Sequence, residues 1–153
     1  NVTTFEVVYE FINRVNNIGK YSTVTLLLPT SPLRNENHIR EAFEKFMSNI
    51  EVNLISVSKY NFPIELCLIK KVNSEHYLFN NKLIGKTQSQ NYSERFHPNG
   101  AIYISSINSF LKEKSFLANN LNLYKMDSIS SIDINEGWEL EIANLILKYK
   151  IKI

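Results

Sequence analysis

The sequence predicts an α/β domain, and three observations predict it. Residues 24–28 (V-T-L-L-L), closed by Pro29, form a short apolar run rich in branched side chains, as in a strand buried on both faces of a mostly parallel, helix-covered sheet. Helical periodicity flanks it, at Phe5, Val8, Phe11, Ile12 and Val15 before, and at Ile39, Ala42, Phe43, Phe46, Met47 and Ile50 after. The length of 153 residues suits one domain able to bury a core.

Composition narrows the classes. A hydrophobic share of 44% with 21% charged residues is an ordinary globular balance, and no apolar run approaches the length that crosses a bilayer, which argues against a membrane role. A net charge of +2, scattered along the chain, gives no basic stripe for nucleic acid. Cys67 is the single cysteine, set in L-C-L-I, where a buried inert thiol is expected and no internal disulfide can form. That usage, with no visible signal peptide, fits the cytoplasm.

The elements follow in order. Thr3 or Thr4 caps a first helix that Gly19 ends, and a polar loop leads into strand 24–28. Asn35 or Asn37 caps a second helix, with Glu36, Arg40, Glu41, Glu44 and Lys45 facing water and His38 solvated in the first turn. Residues 53–59 alternate into a second buried strand, giving a β-loop-α-β unit with a right-handed crossover. Beyond Pro63 the period changes. Residues 66–72 and 77–79 read as a hairpin around V-N-S-E-H, with His76 facing solvent, and 80–97 as a long polar loop of the functional, interfacial or disordered kind. A lone hairpin is marginal in water, so a partner surface is expected. Residues 101–105 form a strand entered through Asn99 and Gly100, 107–114 a short helix, 122–126 a strand and 131–134 a last extended piece. The final helix, 136–149, places Trp138, Ile142, Leu145, Ile146 and Tyr149 on one packing face.

Three stretches carry candidate chemistry. In P-T-S-P-L-R (29–34), Pro29 and Pro32 stiffen a turn that displays the hydroxyls of Thr30 and Ser31 past a strand's carboxyl end, where open α/β sheets bind ligands. An ordinary Pro-Ser loop accounts for the same residues equally well. Asn99 and Gly100 offer a bidentate amide and a close backbone approach, or simply a tight turn. Asp133, in S-S-I-D-I-N-E, reads by itself more readily as the cap of the helix that follows than as a ligand. His97 has no second ligand nearby in sequence.

P-T-S-P-L-R followed by H-I-R-E-A-F (38–43), P-N-G-A-I-Y-I (98–104) and S-I-D-I (131–134) resembles, in order and approximate spacing, the acylneuraminate cytidylyltransferases, or CMP-sialic acid synthetases, over essentially the whole chain. The resemblance implies a three-layer, Rossmann-like fold of the nucleotide-diphospho-sugar-transferase type, one domain (1–153) with 63–97 inserted as a dimerisation arm. It implies a homodimer that transfers CMP from CTP to a sialic-type sugar acid with Mg²⁺. It assigns Asp133 a catalytic and metal-binding role, Asn135 the second metal position, and Thr30, Ser31, Asn99, Gly100, Tyr103 and Phe116 the substrate pocket.

Departures bear on substrate identity. Asn135 stands where the family has Asp, Leu28 where it has Gln, and Glu65 and Ser89 where a lysine and an arginine are expected, with Lys86 and Arg95 as stand-ins. The family's Gly- and Lys-rich triphosphate loop has no counterpart, so the chain reads as the C-terminal part of such an enzyme, inactive by itself. Three functions stand: a cytidylyltransferase for a sialic-type acid, which the motifs favour; another nucleotidyltransferase on the scaffold, as for legionaminic acid; and a non-catalytic dimerising remnant.

Overall fold

A computed structural model describes residues 2–73, 75–79 and 93–149. They fall into two compact units, 1–58 with 98–153, and 59–97. The first helix, α1 (Thr4–Arg14), starts at a full capping box: the Thr3 hydroxyl accepts the Glu6 N–H while the Glu6 carboxylate accepts the Thr3 N–H. It is followed by β1 (Thr23–Leu26), α2 (Glu36–Met47), β2 (Asn53–Lys59), β3 (Leu68–Lys70), β4 (Tyr77–Phe79), β5 (Phe96–Ser106), α3 (Ile107–Glu113), β6 (Leu121–Lys125) and α4 (Gly137–Tyr149). The chain is thus α/β, with a mixed four-stranded sheet in the order β1-β5-β2-β6 and a two-stranded sheet of β3 and β4. β2 and β6 are parallel, and β1 runs antiparallel to β5.

The core follows from residue type. Ala42 and Phe46 of α2, Leu54 of β2, Ala101, Ile102 and Ile104 of β5, and Met126 form one buried cluster. Beside it Phe5, Tyr103, Phe110 and Phe116 meet edge-on or tilted, with ring centroids 4.6 to 5.8 Å apart. Fasteners tie α2 to β6: Lys45 Nζ donates to the Leu123 carbonyl at 2.9 Å, and the Tyr124 hydroxyl to Glu41 at 2.7 Å.

Several expectations are corrected. β1 is not a central parallel strand. It lies at the edge of the described sheet, half-exposed, and β5 separates it from β2. The buried centre belongs to β5, whose run from Asn99 to Ser105 is shielded on both faces. β5 also begins before Pro98, so Asn99 and Gly100 lie inside the strand rather than at its entry. Gly19 does not end α1; the helix stops at Arg14, and Asn17, left-handed at φ 62°, turns the chain. His38 is half-buried, its Nδ1 accepting the Asn35 N–H at 3.2 Å in the α2 cap. Cys67 is exposed. α4 is apolar on most of its faces yet buries only Ala143, leaving Trp138 60% exposed and Ile142, Leu145 and Tyr149 also open.

The hairpin forms with Leu68 opposite Phe79 and Lys70 opposite Tyr77. Residues 80–92 of the long loop, with Lys86 and Ser89, lie outside the described residues. In the second unit Arg95 pairs with Glu65 at 3.2 Å, and the rings of His97 and Tyr60 meet at a tilt with centroids 4.8 Å apart. No helix among the described residues is long and apolar enough to cross a membrane.

Candidate functional site

The site lies where β1 and β5 part company. The antiparallel register runs from Thr23 opposite Ser106 to Leu26 opposite Tyr103, and then β1 ends. Past that point the loop carrying Thr30 and Ser31 swings out, and Gly100 on the facing strand adopts φ +77°, a conformation that an L side chain strains to reach. A Cβ at Gly100 would stand 3.3 Å from Leu28 Cδ1 and 3.7 Å from Asp133 Oδ1. The backbone here is therefore pared down between the loop and the 131–134 segment.

That segment is positioned from below. The Asp127 carboxylate accepts the N–H groups of Ile129 and Ser130, turning the chain after β6. Burial pushes the Asp127 carboxyl up, but these hydrogen bonds outweigh it and hold the group below its ordinary value. Ile134 N–H then donates to the Thr30 carbonyl at 2.8 Å, bonding the two motif loops directly.

Two buried polar atoms on these segments are left over. Ser31 is 2% exposed and its Oγ has no hydrogen-bond partner among the described residues; the same is true of the buried Asp133 Oδ1. Buried polar atoms in native proteins are nearly always satisfied, so these two orphans, on segments joined by the Thr30–Ile134 hydrogen bond, are candidate partners for a ligand, an ion or a water. Tyr103 is 8% exposed, and burial followed by the negative charge of Asp133 holds its phenol above the ordinary value. The neutral hydroxyl is thus kept as a donor.

The structure brings Gly100, Tyr103 and Asp133 together and bonds the Thr30 loop to Ile134, while other residues singled out in the sequence are engaged in packing or hydrogen bonds of their own. Asn99 is 4% exposed and saturated: its Oδ1 accepts from Ser56 Oγ at 2.6 Å and from Ala101 N–H at 3.2 Å, while its Nδ2 donates to Ser131 Oγ at 2.9 Å. Its amide braces the strand rather than reaching for a ligand. Phe116, fully buried, supports the Tyr103 ring from 5.6 Å and presents no surface of its own. Asn135 is exposed, and its Nδ2 lies 3.4 Å from Asp133 Oδ2. The alternative in which Asp133 caps the last helix fails, because Glu139 Oε2 accepts the N–H groups of Asn135 and Glu136 there.

Sequence reasoning missed Arg34. Its Nη1 donates to the Leu28 carbonyl at 2.9 Å and to the Ala101 carbonyl at 2.8 Å, and burial draws the guanidinium below its ordinary value without discharging it. Its place at the end of P-T-S-P-L-R was visible, but its partners were not.

No family model matches the chain. Curated relatives do. The chain is 31% identical over 144 residues to an N-acylneuraminate cytidylyltransferase of Escherichia coli, covering 93% of this chain and 34% of that protein. It is 28% identical over 155 residues to a protein of the same name from Streptococcus agalactiae, covering 98% of this chain and 36% of the relative. A pseudaminic acid cytidylyltransferase of Campylobacter jejuni is 27% identical over 128 residues, covering 84% of this chain and 55% of the relative. The likeness read from the four motifs thus extends over most of the chain, which spans between about a third and about half of the length of these relatives.

Proposed function

We propose that the protein carrying this chain is a cytidylyltransferase that activates a nonulosonic acid of the sialic type. The anomeric hydroxyl of the sugar acid attacks the α-phosphate of CTP, forming the CMP-sugar and expelling pyrophosphate. The observation that carries this reading is the pair of buried, unpartnered atoms, Ser31 Oγ and Asp133 Oδ1, on the two motif segments that the Thr30–Ile134 hydrogen bond joins. Phosphoryl transfer needs positioning and charge neutralisation more than covalent chemistry: the hydroxyl of Ser31 and the neutral phenol of Tyr103 would position the substrate, and the Asp133 carboxylate would hold a cation to neutralise charge.

Mg²⁺ fits this donor set. No group of three His, Cys, Asp or Glu residues able to hold a metal exists among the described residues, but Mg²⁺ is commonly held by one or two carboxylates together with substrate phosphates. Asp133, whose Oδ1 is free, would hold it, with the Asn135 amide beside. The ion would neutralise charge on the phosphates. Ser31 and Tyr103 would donate to anionic oxygens of the substrate, and Asn99 and Phe116 would keep Gly100 and Tyr103 in place.

A second substrate reading, a pseudaminic acid, is favoured by the Campylobacter jejuni relative. The exposed β3–β4 hairpin supports a homodimer, since a two-stranded sheet needs cover to persist. The full-length gene product, incubated with CTP, Mg²⁺ and either N-acetylneuraminic or pseudaminic acid, should release pyrophosphate and yield the CMP-sugar by mass spectrometry. Release with neither acid, or equally with other nucleotides, overturns the reading.

A further inference from the structure

The antiparallel register of β1 and β5, extended two residues past Leu26 and Tyr103, would bring Leu28 opposite Ala101. The two do not pair. The Ala101 N–H turns instead to Asn99 Oδ1 at 3.2 Å, and the carbonyls of Leu28 and Ala101 both receive hydrogens from one nitrogen, Nη1 of Arg34. A primary guanidinium nitrogen carries two hydrogens, and both are used. Arg34 has thus replaced the next rung of the ladder with a charged spacer. The strands are held apart at a fixed distance where a direct pair would have drawn them together.

What sits in the gap gives the spacer its meaning. Leu28 Cδ1 and Asp133 Oδ1 both face the bare Cα of Gly100, the residue before Ala101. Thr30 bonds to Ile134, the residue after Asp133. Arg34 therefore controls the separation between the loop bearing Ser31 and the strand against which Asp133 rests. No carboxylate pairs with Arg34 among the described residues' salt bridges, so its charge is spent on the two carbonyls.

We propose that Arg34 is a positioning residue: it props β1 from β5 so that Ser31 and Asp133 keep the spacing that nucleotidyl transfer requires. This rests on the function proposed above for its kinetic consequence, though not for its structural one. A lysine has the charge but not the rigid fork, and should not hold the spacing.

The test uses the full-length protein and the variants Arg34→Ala and Arg34→Lys, with Ser106→Ala, which removes the cap of α3 at the far end of β5, as a stability control. Amide hydrogen exchange of Ser31 and Ile134 should quicken by about tenfold or more in both Arg34 variants while residues 53–59 stay protected. At temperatures where all variants are folded, kcat should fall by about a hundredfold for Arg34→Ala with KM for CTP little changed, the scale of a small misplacement. Arg34→Lys should also lose rate, added guanidinium ion should restore part of the Arg34→Ala rate, and Ser106→Ala should keep the wild-type kcat. Unchanged exchange at Ser31 and Ile134, or a kcat within about threefold of wild type in both Arg34 variants, overturns the proposal. If Arg34→Ala does not fold, Arg34→Lys decides. If the wild type transfers no nucleotide, the proposed function fails, and the exchange data alone decide whether Arg34 is the spacer.

Discussion

Glu139 closes the start of the last helix on Asn135: its Oε2 accepts the Asn135 N–H at 2.7 Å and the Glu136 N–H at 2.8 Å. The helix is thereby capped from within, and Asp133 is released from that duty. Glu139→Ala should cost about 1 kcal/mol of stability, as lost caps do, and leave the metal dependence of any activity unaltered. Asp133→Ala should do the reverse. Removing a carboxylate with an unsatisfied buried oxygen should leave the melting temperature unchanged or raised, while Mg²⁺-dependent formation of the CMP-sugar is lost. Melting curves beside a Mg²⁺ titration of rate decide this, and a lowered melting temperature for Asp133→Ala with normal activity would remove it from the site.

Gly100→Ala should be costly twice over. The left-handed φ of +77° costs an L residue about 1–2 kcal/mol, and the new methyl would crowd Leu28 Cδ1 at 3.3 Å. Urea unfolding should register a loss of about 1–3 kcal/mol, and the rate should fall further than stability explains because the methyl also meets Asp133. A variant as stable as the wild type would mean that β5 does not hold this conformation.

How far these features were legible in sequence depends on whether they are local. β2 was read at its true bounds because Asn53–Lys59 is buried almost throughout, and α2 because Asn35 announces it. The early start of β5 was hidden by Pro98 and Gly100, which read as breakers although the bare Cα of Gly100 is what leaves room for Leu28 and Asp133 beside the strand. An apolar run cannot tell which strand will be its neighbour, so residues 24–28 looked central when the longer β5 took that place. The partners of Arg34 and the bracing role of Asn99 escaped for one reason: each acts on groups far away in sequence, Arg34 on Ala101 and Asn99 on Ser56 and Ser131. The exposure of α4 escaped because a helix apolar on most sides does not say which line it buries.

Acid should destabilise the fold through two identifiable carboxylates. Hydrogen bonds from the Thr3 backbone and then its hydroxyl hold Glu6 low, and at Asp127 burial is outweighed by hydrogen bonds from Ser130 and Ile129. Both folded-state values lie below the unfolded ones, which are about 4. Their stabilisation is therefore fully present above the unfolded values and is lost as pH falls through the folded ones. Asp127→Asn keeps an acceptor for the turn and Glu6→Gln one for the cap, yet neither titrates. The double variant should lose less stability than wild type between about pH 6 and pH 3. Equal losses on acid denaturation would assign the effect elsewhere.

Association should run through the β3–β4 hairpin. Leu68 and Ile69 are 56% and 52% exposed on a sheet of only two strands, an arrangement that water alone does not sustain well. The protein should be a two-fold dimer by light scattering at micromolar concentration. Leu68→Asp with Ile69→Asp should make it monomeric, since burying unpaired carboxylates is costly. A wild-type monomer, or a variant that stays dimeric, rules out this surface.

Asn135→Asp tests the proposed cation site. In the present arrangement Asn135 turns an amide donor toward Asp133 Oδ2 at 3.4 Å, which partly occupies the carboxylate that a cation would use. An aspartate there removes that donor and adds a second charge beside the first. Without Mg²⁺ the two carboxylates repel, so the variant should melt below wild type; with Mg²⁺ the repulsion becomes attraction for the ion. The Mg²⁺ concentration for half-maximal rate should fall by roughly tenfold if the added ligand contributes about 1.4 kcal/mol. Mg²⁺ should also raise the melting temperature of Asn135→Asp more than that of wild type, a readout that needs no substrate. Equal responses in both measurements would show that the ion, if used, is not held between residues 133 and 135.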